Sequence, residues 1–126
     1  MRVYQGIDLV KVSRVQKLVE SSTPLALRRI FTPREIAYSQ PKRTKYEHYA
    51  ARFAAKEAVI KILKQFSKKT ISMNEIEVRH EKTGKPYIQL GTALKKLLPR
   101  GSRLEISLSH EREFAMAAAV LAAPEV

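Results

Sequence analysis

The chain has no cysteine among its 126 residues. That excludes disulfides, thiol nucleophiles and thiolate metal sites, and leaves oxygen and nitrogen as the donors for any metal. Long apolar runs are missing too. The longest, Ala115 to Ala123, is too short to cross a bilayer. Met1 to Gly6 lacks the apolar stretch of a secretory signal, so a cytoplasmic protein with no membrane partner is expected. Walker loop, dinucleotide fingerprint, His-Glu-His zinc motif and nucleophile elbow are all absent from the sequence. The three histidines, His48, His80 and His110, are scattered along it, which argues against zinc.

Acidic residues are scarce as well. Against 24 Lys and Arg stand 12 Asp and Glu, a net charge of +12. The excess is lopsided: residues 1–70 carry 16 basic and 5 acidic side chains, residues 71–126 carry 8 and 7. Such a field attracts polyanions, whether nucleic acid, anionic membrane, phosphorylated cofactor or acidic protein. Charge alone ranks nucleic acid first. The length fits a single domain, residues 1–126, with a core modest enough that identical partner subunits would help it.

Residues 3–12 are apolar and β-branched and read as a strand, with short helices expected at 13–20 and 24–30. Thr32-Pro33-Arg34-Glu35 combines an N-cap, a first-turn proline and a capping-box glutamate, a helix start. A long helix is expected from about Lys42 to Gln65. Strands follow at 76–80 and 86–90 around a turn at 81–85, then a brief helix at 91–98 and strands at 103–109 and 114–121. The fold class is α+β, a small, mainly antiparallel sheet packed on a long helix.

Two carboxylates fall where the pattern asks for apolar residues. Asp8 shares a strand face with Tyr4, Val10 and Val12, and Glu57 falls on the seam of 46, 49, 50, 53 and 60. A buried carboxylate needs a compensating charge. Ordinary salt bridges to Arg52, Lys56 or Lys61 would supply it. So would a shared divalent ion, since Mg²⁺ takes one or two carboxylates and completes its shell with water and phosphate oxygens. Lys61 lies one turn after Glu57, on the same face, as a phosphate-neutralising cation or as a surface ion-pair partner. Ala54-Ala55 suggests close approach of another backbone, or plain packing. His110 ends a strand on the face of Leu104, Ile106 and Leu108, a position usual for a half-buried histidine.

In order along the chain stand Gly6-Ile7-Asp8-Leu9-Val10 with Arg14-Val15, Phe31-Thr32-Pro33-Arg34-Glu35, and Arg52-Phe53-Ala54-Ala55-Lys56-Glu57-Ala58 with Lys61. Gly84-Lys85-Pro86 and Ser107-Leu108-Ser109-His110 follow. Together they resemble the holo-[acyl-carrier-protein] synthases, the small 4′-phosphopantetheinyl transferases, over residues 3 to about 121. The resemblance implies that family's fold and a homotrimer with each site between two subunits. It implies Asp8 and Glu57 as Mg²⁺ ligands completed by the pyrophosphate of coenzyme A, and Lys61 beside the bridging phosphates. Arg52 would contact the nucleotide end, and Gly84, Lys85, Pro86, Ser109 and His110 would line the cofactor cleft. Arg14 and Arg28 would face an acidic acyl carrier protein. Two departures stand out: Lys11 where the family often has an acidic residue, and Lys64 to Lys69 where it has a glycine-rich turn.

The implied reaction moves the phosphopantetheine arm of coenzyme A onto a carrier-protein serine, releasing adenosine 3′,5′-bisphosphate, in fatty acid biosynthesis. Glu57 or a metal-bound water is the candidate base, and Lys61 neutralises or protonates the leaving phosphate. An RNA-binding module is the rival, since +12 and five tyrosines would suffice for it. It leaves the carboxylates at 8 and 57 unexplained.

Overall fold

The structure, a computed structural model, describes residues 1–125. Strand β1 (Arg2–Lys11) opens the chain, followed by three short helices, α1 (Val12–Ser21), α2 (Pro24–Ile30) and α3 (Pro33–Ser39). Two of these start alike. Thr23 and Thr32 each accept a backbone N–H three residues on, from Ala26 and Glu35, with proline in the first helical position. At Thr32 the capping box closes, because the Glu35 carboxylate accepts the Thr32 N–H at 2.9 Å.

The long helix α4 (Lys45–Leu63) is shorter at both ends than Lys42–Gln65. After Pro41, Lys42 closes a turn on the Ser39 carbonyl instead of joining the helix. At the far end Phe66 closes a turn on Leu63 and packs on Tyr4, ring centres 4.8 Å apart. That contact anchors the loop whose glycines are missing.

The expected α+β fold, a small antiparallel sheet packed on a long helix, is what forms, with a two-stranded hairpin set apart from the sheet. Strand β5 (Phe114–Ala123) lies between β1 and β4 (Arg103–His110), antiparallel to both, with β1 paired from Arg2↔Ala123 to Lys11↔Phe114. Strands β2 (Ile76–His80) and β3 (Pro86–Leu90) make a separate antiparallel hairpin. Segment 91–102, with the short helix α5 (Thr92–Lys95), turns the chain so that β3 abuts β4 without joining its ladder.

Helix α4 lies across the inner face of the three-stranded sheet. That face is built from small residues, Ala115, Ala117 and Ala119 of β5 with Gly6 of β1, and all are buried. Small side chains let sheet and helix backbones come close. Bulk comes from Phe31, Tyr49, Ile62, Leu63, Ile76 and Leu121, all 2% exposed or less, each worth about 1.5–3 kcal/mol on burial. The outer face is the reverse. Val3, Ile7 and Leu9 of β1 and Phe114, Met116 and Val120 of β5 are all exposed there.

Candidate active site

The site begins at a glycine. A Cβ added to Gly6 would lie 2.0 Å from the Ala58 carbonyl oxygen, so β1 runs directly against the backbone of α4. The close approach inferred from Ala54-Ala55 therefore exists, but falls at Ala58. Two residues past Gly6 on the same face, Asp8 is carried to α4 with its side chain 19% exposed. Lys61, one turn beyond Ala58, donates to the Ile7 carbonyl at 2.5 Å and lies 3.4 Å from Asp8 Oδ1.

Glu57 does not sit in an apolar seam. Helix α4 is covered on most of its circumference, and Phe53, Glu57, Lys61 and Lys64 form its open stripe. Three-and-four spacing marks one buried stripe only when a helix lies on one surface. This helix is wrapped by β1, β5, α1, α3 and β2. Nothing among the described residues donates to the Glu57 carboxylate. Lys56, a salt-bridge candidate for Asp8 or Glu57, is fully buried and paired with Glu35 instead. Asp8, with Lys61 beside it, and the partly exposed Glu57 one turn before Lys61 are hard oxygen donors of the kind a divalent cation takes, with positions left for water and phosphate oxygens.

A second cluster surrounds Arg52, 2% exposed. Its Nη1 donates to the His48 carbonyl at 3.0 Å, Nη2 lies 3.4 Å from His80 Nε2, and Cζ is 4.1 Å from the centre of the Tyr38 ring. Nε has no partner among the described residues. Lys42 Nζ is 4.2 Å from the same ring centre, and Tyr38 stacks on His80 at 4.7 Å. His48 meets the Tyr38 ring edge and His110, 5.1 Å away, whose Nδ1 is 2.9 Å from Glu47 Oε1. Histidines scattered in the sequence are thus gathered in the fold. Burial above all, then the Arg52, His110 and Lys42 charges, pushes His48 down to about 4. His80 is lowered by burial and by Arg52 and Lys42. Neutral imidazoles among fixed cations leave a surface with a net appetite for anions.

The Gly84-Lys85-Pro86 segment is the tip of the β2–β3 hairpin. Gly84 takes φ +91°, which a side chain would resist, and its N–H donates to Glu81. Lys85 Nζ reaches Glu105 of β4 at 3.3 Å. Ser109 and His110 do not share a surface. His110 continues the inner face of β4, whereas Ser109, opposite Met116, points to the outer face.

Arg14 and Arg28 are exposed on α1 and α2. Arg14 and Lys17 rim a groove floored by Val15, Leu18, Ile30, Phe53 and Met73. Phe53 is one turn before Glu57, so this groove leads towards the carboxylates. The sequence gives no sign of this groove, whose floor comes from four separate elements. Arg28 borders a neighbouring groove with Leu27 and Ile36.

The model of the 4′-phosphopantetheinyl transferase superfamily matches residues 5–119. The chain belongs to that superfamily. Holo-[acyl-carrier-protein] synthases of Halothermothrix orenii and Thermodesulfovibrio yellowstonii are 40% and 39% identical to it, covering 89% and 92% of this chain and 90% and 95% of their own. Among solved structures, the ACPS–CoA complex of Chronobacterium ammoniagenes superposes with a TM-score of 0.83 at 29% identity, covering 99% of this chain and all of that one. The Helicobacter pylori holo-[acyl-carrier-protein] synthase in complex with coenzyme A gives 0.78 at 29%, over 94% and 100%. Within the superfamily's matched span lie Asp8, Arg14, Arg52, Glu57, Lys61, the 84–86 turn and His110. The fold brings Asp8 to Lys61, and His110 towards Arg52 through His48.

Proposed function

We propose that this chain is a holo-[acyl-carrier-protein] synthase, transferring the 4′-phosphopantetheine arm of coenzyme A to a serine of an acidic apo acyl carrier protein. The observation that carries this reading is the Gly6–Ala58 contact, which sets Asp8 against Lys61 one turn from Glu57. It fits the relatives named holo-[acyl-carrier-protein] synthase along nearly the full chain.

Asp8 and Glu57 would hold Mg²⁺, which supplies positive charge against the pyrophosphate oxygens when bound. Lys61 steadies the Asp8 carboxylate and stands where leaving-group charge develops. Glu57, with no donor of its own, accepts the serine proton directly or through a water. As the serine Oγ bonds to the β-phosphorus, the bond to the leaving oxygen breaks, and adenosine 3′,5′-bisphosphate departs with the electron pair. The cations Lys42 and Arg52, with the His110 ring beside them, suit its 3′-phosphate, and Lys85 on the hairpin tip flanks the cofactor. Arg14 and Lys17, above an apolar groove, suit a helix with acidic and apolar faces.

The whole chain acts as one domain, and three chains cover the apolar outer sheet face by packing together. The setting is the cytoplasm and fatty acid biosynthesis. No helix among the described residues is long and apolar enough to cross a membrane. The test is incubation with coenzyme A, Mg²⁺ and apo carrier protein, followed by mass spectrometry for the added arm. Wild type modifies the carrier, while Asp8→Ala and Glu57→Ala stay folded and lose at least about a hundredfold in rate. Near-normal turnover of both variants, or salt-dependent RNA binding with no response to Mg²⁺ or coenzyme A, refutes the reading.

A further inference from the structure

Lys56 stands in the same block as Arg52 and Glu57, yet the transfer reaction gives it nothing to do. Its side chain is completely buried, as is that of Glu35. An ammonium withdrawn from water is held there only by its partners, so the partners define what it does. Nζ donates to the Ile30 carbonyl at 2.6 Å and pairs with Glu35 Oε1. The same carboxylate accepts the Thr32 N–H on Oε1 at 2.9 Å and the Val78 N–H on Oε2 at 2.8 Å. Burial draws the Lys56 ammonium towards its neutral form, and the Glu35 charge opposes this.

Those contacts join four elements. Ile30 is the last residue of α2, Thr32 caps α3, Val78 is the middle of β2, and Lys56 is in the second half of α4. Functional surfaces hang from two of them. Ile30 floors the groove rimmed by Arg14, and β2 runs on to His80, stacked on Tyr38, and to the hairpin tip at Gly84. An apolar plug would hold these elements together but let them slide. Directional bonds from one carboxylate fix them in angle and register.

We propose that Lys56 is a positioning residue. With Glu35 it ties the α2–α3 junction and the β2–β3 hairpin to the helix bearing Arg52, Glu57 and Lys61, so that the carrier groove and the cofactor cleft keep a fixed spacing. The kinetic consequence rests on the transferase reading; the tie itself does not.

The experiment compares Lys56→Met, Glu35→Gln and the double variant by two measurements. One is steady-state kinetics with each substrate varied, and the other is amide hydrogen exchange at Thr32 and Val78. Each single variant raises KM for carrier protein and for coenzyme A together, about tenfold, with kcat within about threefold of wild type. Exchange at both amides quickens at least about tenfold. The double variant is no worse than the worse single, because the two side chains act as one unit. The proposal is overturned if Lys56→Met loses kcat with both KM values unchanged while Glu35→Gln behaves as wild type, since Lys56 then acts at the reacting atoms. Unchanged exchange at Thr32 and Val78 in Glu35→Gln overturns it too. Should Lys56→Met not fold, Glu35→Gln alone carries both measurements. If the wild type transfers no phosphopantetheine, the function reading fails while the exchange measurement still decides the tie.

Discussion

Replacing Gly6 by alanine tests the contact on which the site depends. Propensity alone says the change should help, because alanine loses less chain entropy than glycine, by about 0.5–1 kcal/mol. The packing says otherwise. The new Cβ would lie 2.0 Å from the Ala58 carbonyl oxygen and 3.0 Å from its carbon, both backbone atoms that no rotamer change can move. Restoring ordinary contact requires strand and helix to part by roughly 1 Å in an interior packed like a crystal. Overpacking of this severity costs about 3 kcal/mol, leaving a net loss of about 2–2.5 kcal/mol. For a chain of this size that lowers Tm by about 10 °C. Urea and thermal unfolding at one fixed protein concentration measure it. Transfer activity should fall as well at temperatures where the variant is folded, because the same displacement stretches the Lys61 contact to Ile7 and misplaces Asp8. Ala58→Gly should not rescue the variant, since the obstructing oxygen remains. A Gly6→Ala protein as stable as wild type, or more so, refutes the reasoning.

Most of the fold was readable because its signals are local. The Thr32-to-Glu35 capping box, the apolar, β-branched run of β1, the alternation in β4 and the glycine turn at 84 each specify their conformation within a few residues. What failed depended on distant partners. The extent of α4 is set by a turn after Pro41 and by Phe66 docking on Tyr4, neither of which periodicity registers. Whether β2 and β3 join the main sheet depends on how segment 91–102 bends, a tertiary matter.

The candidate site divides in the same way. The period-two count places Asp8 on the inner strand face, and it lies there, partly buried against Lys61. Glu57 occupies the open stripe of a wrapped helix and not the apolar seam that its spacing predicts. Helical spacing gives the angle of a residue about the axis but not which angles the rest of the chain covers. Lys56 shows the complement. A lysine in a helix reads as solvated, and nothing local announces that Glu35, twenty-one positions earlier, will meet it in a dry interior. The histidines converge because the start of α4 and the ends of β2 and β4 lie near one another, which only topology decides.

Three further outcomes are expected. Light scattering should give three chain masses for wild type and fewer for Ile7→Glu, whose side chain lies on the exposed apolar sheet face; an active wild type at the mass of one 14.4 kDa chain would sink the trimer. Arg14→Glu should raise KM for carrier protein about tenfold and leave that for coenzyme A unchanged, with added salt weakening the wild type in the same direction; equal effects on both substrates would move Arg14 out of the docking surface. The third concerns acid. His48 titrates at about 4 in the folded chain, against about 6.5 when unfolded. Between those values the unfolded chain binds more protons, so unfolding free energy should fall as pH drops from 6.5 to 4 and level off below. His80, also lowered, adds to the same slope. The groups facing His48 are Tyr38, Lys42, Glu47, Arg52 and His110, and of these only Glu47 favours the protonated ring. His48→Phe keeps a ring against Tyr38 and cannot take up the proton. Its loss of stability between pH 7 and 4 should be smaller than that of wild type by about 1 kcal/mol, after discounting for solvent screening. Parallel pH profiles for the two proteins would mean that His48 is protonated in the folded state as readily as in the unfolded one, and would refute its burial among cations.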